Sequence, residues 1–244
     1  MKLEDRFKAI KSYVSSSYRR FSSAYRDYPK EILDLIVFHK LHFYMPEVEA
    51  QKSYRRLKTA FVDWNEVRIS SVKEIREVFD GVPDCLELSI FVKDFLEHLH
   101  LENQSVSLEF LVERNLGDIR RYLRGFKGVE PATIDLVLRL RKDHPVLPVS
   151  APMERTLLRL GVVRRQQSRE QKEKYLHNLV EGAAALPFHH FFLKHSREIC
   201  PPEDENVQCP SCGIRNSCSY YKRRLKKASP AKSRNGKPTL KRRS

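Results

Sequence analysis

The chain has 244 residues, 41% of them hydrophobic and 10% aromatic, with only 8 glycines and a formal net charge of +15. That length buries enough core for one large domain or two modest ones, and so little glycine argues against a loop-rich or all-β chain and for a helical one. No run approaches the ~18 consecutive apolar residues of a membrane helix, and the charged opening MKLEDRFKAIKSYV does not read as a secretory signal.

Taken in chain order, residues 3–28 read as an amphipathic helix followed by a Ser/Tyr/Arg-rich connection to Pro29. Apolar positions then recur at helical spacing in EILDLIVFHKLHFY and in VEAQKSYRRLKTAFV. SSVKEIREVF opens with the capping residues Ser70 and Ser71, and PDCLELSIFVKDFLEHLHL opens with Pro83 and Asp84. SLEFLVERN and LGDIRRYL follow as shorter helices. A glycine turn at 127–131 launches PATIDLVLRLRK, where Pro131 suits a first helical turn because no amide partner is needed there. Beyond RKDHPVLPVS come a helix from about Pro152 to Leu160, a polar one in REQKEKYLHNLV and an apolar one in LPFHHFFLKHSREI. With no repeat and almost no alternating strand signal, the expected class is all-α.

The charge is concentrated at one end. Eleven cations and no acid follow Tyr221, so the rest of the chain carries only +4 of the +15. Residues 220–244 are expected to be a disordered basic arm, opened by Lys222, Arg223 and Arg224, whose partner is a polyanion such as nucleic acid. With no membrane partner expected, the protein is placed in a reducing interior, the cytoplasm or nucleoid, or the nucleus in a eukaryote. There a disulfide framework is improbable and cysteines become candidates for metal binding.

Four of the five cysteines lie in CPPEDENVQCPSCGIRNSC, at Cys200, Cys209, Cys212 and Cys218. Four thiolates so close in sequence can enclose one tetrahedral site, either a [4Fe-4S] cubane or a single zinc. Zinc ribbons usually present two separated C-x2-C pairs. One pair flanked by single cysteines favours the cluster, with zinc as the alternative. Cys85, on a helix, reads as a small buried hydrophobe.

A helical chain with a glycine hairpin and this cysteine spacing after it resembles the endonuclease III family of helix-hairpin-helix DNA glycosylases, which carry a [4Fe-4S] loop with a slightly shorter first interval. The segment VDWNEVRISSVKEI also looks like the plant 5-methylcytosine glycosylase branch of that superfamily. The resemblance implies a two-domain fold: a helical barrel over 29–144 ending in the hairpin, an iron–sulfur domain from 1–28 and 145–219, and a DNA cleft between them. It further implies a monomer that binds DNA.

KGVEPAT, residues 127–133, matches the family's hairpin with Gly128 and Val129 in place, while Glu130 replaces its second glycine. The resemblance implies that Lys127, Gly128, Val129 and Thr133 lie against a DNA phosphate, served by orphan amides at a helix N-terminus. VSAPMER matches the family's second signature at Val149 and Arg155, which adds Arg155 to the DNA-binding set. The lysine that attacks the sugar in bifunctional relatives falls at Ala132, and the essential aspartate falls at Ser150. The interval between the two positions equals the family's. Neither residue supplies the nucleophile or the charge that stabilises an oxocarbenium-like transition state, and Ser150 reads as a capping residue for the helix after it.

The glutamine that relatives insert into the DNA stack aligns with His39, Lys40 and Leu41, where Leu41 offers an apolar wedge. The expected function is therefore DNA binding without base excision, on structured or damaged DNA. The alternative is an active glycosylase or lyase with relocated carboxylates at Asp135 or Glu154. A third reading is a redox or zinc protein not bound to DNA.

Overall fold

The computed structural model describes residues 3–18, 28–180 and 184–228, which contain twelve α-helices and no strand. In chain order they are α1 (Leu3–Tyr18), α2 (Ile32–Tyr44), α3 (Glu47–Ala60), α4 (Trp64–Ile69), α5 (Val72–Val78), α6 (Cys85–Asn103), α7 (Leu116–Arg124), α8 (Pro131–Arg141), α9 (Ala151–Leu160), α10 (Arg169–Leu179), α11 (Ala185–Glu198) and α12 (Ser219–Ala228).

Short polar side chains start five of these helices by accepting an orphan first-turn amide. Asp63 accepts from the Glu66 amide and Asn115 from that of Asp118. Ser71 and Ser168 form reciprocal capping boxes with Glu74 and Gln171. Asp84 departs from this pattern: it has φ +53° and caps nothing.

Three segments differ from their sequence pattern. SLEFLVERN forms only a 3-10 turn, Glu109–Glu113. WNEVRI, read only as a family resemblance, is the short helix α4. The basic arm expected to be disordered from residue 220 begins as helix α12, because Tyr220 and Tyr221 pack against a neighbouring core and anchor the strong helix formers after them. Residues 229–244 of that arm lie outside the described residues.

The buried apolar side chains separate into two clusters. The first runs from Tyr28 to Leu138 and gathers α2 to α8. The second joins Phe7, Ile10 and Val14 of α1 to residues from Leu147 to Cys218. At the middle of the first lies α2, buried from Ile32 to His42. Its polar residues are tolerated there because each has a partner. Asp34 accepts from the Trp64 indole at 3.0 Å, from the Lys58 ammonium at 3.0 Å and from the Tyr54 hydroxyl, so one buried carboxylate ties α2 to α3 and α4.

Removing that carboxylate leaves two buried donors and a cation without an acceptor. Asp34→Ala is expected to lower unfolding stability by about 2–4 kcal/mol, read as a shift of the urea midpoint at unchanged slope.

Candidate nucleic-acid interface and metal centre

Helices α7 and α8 form a hairpin around the turn at residues 125–130. Gly128 has φ +84°, and a Cβ there would stand 2.7 Å from the Phe91 ring, so the position requires glycine on both counts. The Gly128 carbonyl turns inward to accept from the Lys40 ammonium at 3.1 Å, and that ammonium also lies 4.8 Å over the Phe91 ring. The backbone amides of Lys127 and Gly128 have no hydrogen-bond partner among the described residues. Lys127 and Arg124 are exposed beside them, whereas Val129 is buried. Pro131 occupies the first turn of α8, as its sequence predicts. Arg120 on α7 pairs with Asp135 on α8 at 2.6 Å and braces the two helices against each other.

Three sequence-predicted positions have their side chains engaged within the protein. Thr133 is buried, and its hydroxyl bonds His39 Nδ1 at 2.9 Å, so its side chain is part of the interior. Arg155 donates to the carbonyls of Ser196 and Cys200 at 3.0 and 3.3 Å, which makes it a brace for the cysteine turn. Leu41 is fully buried in the first core and is no wedge; its neighbours His39 and Lys40 are buried as well. Lys222, Arg223 and Arg224 are exposed on α12, with Arg224 donating to the Asp204 carbonyl at 3.1 Å.

The positions aligned with the family's lysine and aspartate are both interior. Ala132 is 1% exposed and Ser150 is 2% exposed, and the Ser150 hydroxyl accepts from the Met153 amide as the N-cap of α9. Four surface cavities among the described residues are lined by none of Ala132, Ser150 and Asp135. Both carboxylates weighed as substitutes are engaged: Asp135 with Arg120, and Glu154 with Lys172 at 2.6 Å. Burial pushes the Asp135 carboxyl up to about 6, against the pull of Arg120.

Beside Ala132 runs a buried polar seam that sequence reasoning missed. His189 Nδ1 lies 2.8 Å from the Pro148 carbonyl, which has no proton, so Nδ1 donates and His189 Nε2 is left as an acceptor. His39 Nε2, 3.3 Å away, then carries a proton toward it, and His39 Nδ1 accepts from the Thr133 hydroxyl. The relay is complete only with both rings neutral. Alongside it, His42 Nδ1 meets the Tyr28 hydroxyl at 3.0 Å, His190 meets Glu47 at 3.3 Å, and Arg197 holds the carbonyls of His42 and Met45. His39 and His42, three apart on one apolar helix, and the adjacent His189 and His190 on another were the available signal.

The four cysteines converge. Cys200, Cys209, Cys212 and Cys218 line one small cavity with Arg159, His195 and Tyr220. Arg159 donates to Cys200 Sγ at 3.3 Å, the Tyr221 amide to Cys218 Sγ at 3.5 Å, and His195 Nε2 lies 3.8 Å from Cys212 Sγ. Burial pushes the Cys212 thiol up to about 11, and the other three cysteines push it the same way, against a hydrogen bond from the Ile214 backbone. Four cysteines sharing one cavity would repel one another once ionised unless a polyvalent cationic centre lay between them. The donor set therefore fits the group that the spacing implies. Cys85, by contrast, is half-buried against the first core.

The histidine seam fixes the sign of the pH dependence. Burial lowers His189 from 6.5 to about 3 and His190 to about 4, and it holds His39 and His42 well below 6.5, with Lys40, Lys194 and Arg197 adding to the effect. The unfolded chain binds these protons first, so stability is complete above the unfolded value and is lost as pH falls through 6.5. Asp135, raised above its unfolded value of 3.8, runs the other way but is one group against four. Unfolding stability is expected to drop between about pH 7 and 5, each histidine contributing roughly 1.4 kcal/mol per pH unit. Urea titrations should show His189→Gln flattening that slope by about one proton.

No protein-family model matches the chain. It is 23% identical over 185 residues to an Arabidopsis thaliana protein named as a DNA glycosylase, covering 76% of this chain and 63% of that one. It is 22% identical over 177 residues to the Arabidopsis thaliana DNA glycosylase/AP lyase ROS1, covering 66% of this chain and 13% of that protein. Endonuclease III of Thermotoga maritima is 31% identical over 99 residues, 41% of this chain and 45% of its own length. The chain thus spans less than two thirds of the length of each of these relatives. Among solved structures, a non-covalent endonuclease III–DNA complex superposes with a TM-score of 0.65 at 18% identity, covering 93% of this chain and 99% of that one. A thermostable thymine-DNA glycosylase gives 0.61 at 17%, covering 90% and 98%. In its fold and in its sequence relatives, the chain's likeness is to the endonuclease III family of helix-hairpin-helix DNA glycosylases.

Proposed function

We propose that this chain is a DNA-binding protein of the endonuclease III fold that does not excise bases, and that it recognises bent, branched or damaged DNA in repair or recombination. The observation that carries the reading is the pair Ala132 and Ser150. Where relatives implied by the resemblance hold a nucleophile and an acid, this chain holds a buried methyl group and a buried helix cap. Losing such electrostatic help costs several kcal/mol of barrier, roughly a thousandfold in rate.

DNA binding is supported by the hairpin's chemistry. Two backbone amides without partners, beside exposed Lys127 and Arg124, form a phosphate cradle that reads shape rather than sequence. Lys222 and Arg223 on α12 add cations that would release counterions from the same polyanion. The relatives' names as DNA glycosylases, and a solved neighbour's complex with DNA, support the same partner.

Cys200, Cys209, Cys212 and Cys218 would hold a [4Fe-4S] cluster in this reading, with a structural role: it supplies four iron–thiolate bonds that fix the turn before α12. Among the described residues, no three His, Cys, Asp or Glu donors gather closely enough for a single ion. Two domains are part of the same proposal, residues 29–144 around the first core and residues 1–28 with 145–219 around the second.

One observation favours the active alternative: a carboxyl pushed to about 6, Asp135, lies three residues beyond Ala132 and in the range of a general acid. The two readings separate in one assay. Cluster-loaded protein is incubated with intact, abasic, uracil-containing and four-way-junction DNA, and binding, base release and borohydride-trapped adducts are scored together. Tight binding of one structured DNA with no release and no adduct is expected. Release from any lesion, abolished by Asp135→Asn, would reverse the conclusion. Protein purified anaerobically is expected to be brown and to lose its colour on Cys209→Ser; a colourless preparation containing zinc would overturn the cluster assignment.

A further inference from the structure

A second basic site lies at the far end of α9 from the hairpin. Arg155, Arg159, Arg164, Arg165 and Arg223 line one cleft of about 560 Å³, against a single carboxylate, Asp204. That carboxylate is already paired with Arg159 at 2.7 Å, and Arg155 is held by two carbonyls. The guanidinium groups of Arg164, Arg165 and Arg223 have no partner among the described residues, and all three are exposed. Guanidinium groups gathered into a concave site without counter-charge repel one another. The arrangement is relieved by an anion able to accept several forks at once, which is what the oxygens of a phosphate do.

The local backbone holds this geometry. Gly161 ends α9 with φ +78°, and a Cβ there would meet the Arg6 guanidinium and the Ser219 hydroxyl at 2.6 Å, so α1, α9 and α12 close on one point. The aromatic ring in the cleft, Tyr220, is covered by the guanidinium groups of Arg159 at 5.0 Å and Arg224 at 5.7 Å. It offers no free shelf for a base, so the cleft suits a phosphodiester backbone rather than a free nucleotide.

The place of the cleft separates it from the hairpin. The start of α8 and the segment leading into α9 meet at the seam, through Thr133, His39, His189 and Pro148. The cleft is lined by the second half of α9 and by the residues after it, and Arg164 and Arg165 lie past the end of that ten-residue helix, about 15 Å long.

We infer that the cleft of Arg164, Arg165 and Arg223 is a second DNA-backbone site, which takes phosphodiester groups of bound DNA remote from those on the hairpin. It rests on the DNA-binding reading above and gives that reading two anchors. DNA held at both is fixed in direction as well as position, a requirement for discriminating shape.

The test is fluorescence anisotropy of the full, cluster-loaded chain with a labelled duplex across a salt series, for wild type, R164Q/R165Q, R223Q, K127Q, the triple variant K127Q/R164Q/R165Q and a charge control, R55Q/K73Q, on exposed positions of α3 and α5. The cleft double variant is expected to bind about tenfold or more weakly and to lower the salt slope by about 2, roughly 0.9 for each phosphate no longer neutralised. R223Q should lower it by about half as much, and the cleft and hairpin losses should add in the triple variant as separate sites do. The charge control should leave the slope near wild type. A cleft variant with the wild-type slope, or a control that lowers it equally, overturns the second site. Wild-type protein without salt-dependent affinity for any DNA is a different failure, which removes the DNA-binding reading itself and the site with it.

Discussion

The two cores of this protein meet through polar chemistry that requires neutral histidines. Helix α2 supplies His39 and His42, α11 supplies His189 and His190, and each pair of rings stands 5.4 or 5.5 Å apart. A hydrophobic seam would hold the cores together over a range of registers. A proton relay that runs from Thr133 to the Pro148 carbonyl is satisfied in one register only. The relay begins on α8, at the foot of the hairpin, and ends just before α9, so it sets the hairpin's orientation relative to the second core. The Lys40 ammonium, reaching from the same helix to the Gly128 carbonyl, fixes the turn from beneath.

Much of this was legible in the sequence. Apolar spacing gave the helices because their buried faces are long and regular, and polar caps at Ser71 and Ser150 marked where two of them start. The cysteine spacing pointed to one shared site, and the structure brings the four cysteines to one cavity. The failures have local physical causes. Leu41 and Thr133 look like surface residues only when α2 and α8 are considered singly, and each is buried by a helix far away in sequence. Arg155 matched a motif, but a motif does not say which carbonyls a guanidinium will find. The helical start of the basic arm was hidden by its charge, since two tyrosines are a weak signal amid so many cations. The cleft arginines come from a loop after α9 and from α12, so only the fold puts them in one place.

Position 150 serves the packing of the second core. A serine hydroxyl that accepts from Met153 is a good start for α9, and α9 carries Arg155 and Arg159 to the carbonyls around Cys200. The residue that the resemblance sets against the family's acid thus begins the helix that braces the cysteine turn. Ala132 similarly fills the interior at the first turn of α8. Both positions serve packing, and both lie next to the seam that joins the cores.

The placement of α1 has a consequence for how the molecule is assembled on a ribosome. Phe7, Ile10 and Val14 belong to the second core, the Arg6 guanidinium holds the Gly161 carbonyl 155 positions away, and the Tyr13 ring closes over Gly213. Helix α1 therefore has no partner until α9, α11 and the cysteine turn have emerged. By then the residues of the core from Tyr28 to Leu138 have all emerged. Closing so long a loop costs only slightly more entropy than closing a short one, but it must come late. The amino end and the cysteine turn are thus finished in the same event, and a chain that cannot order one leaves the other exposed.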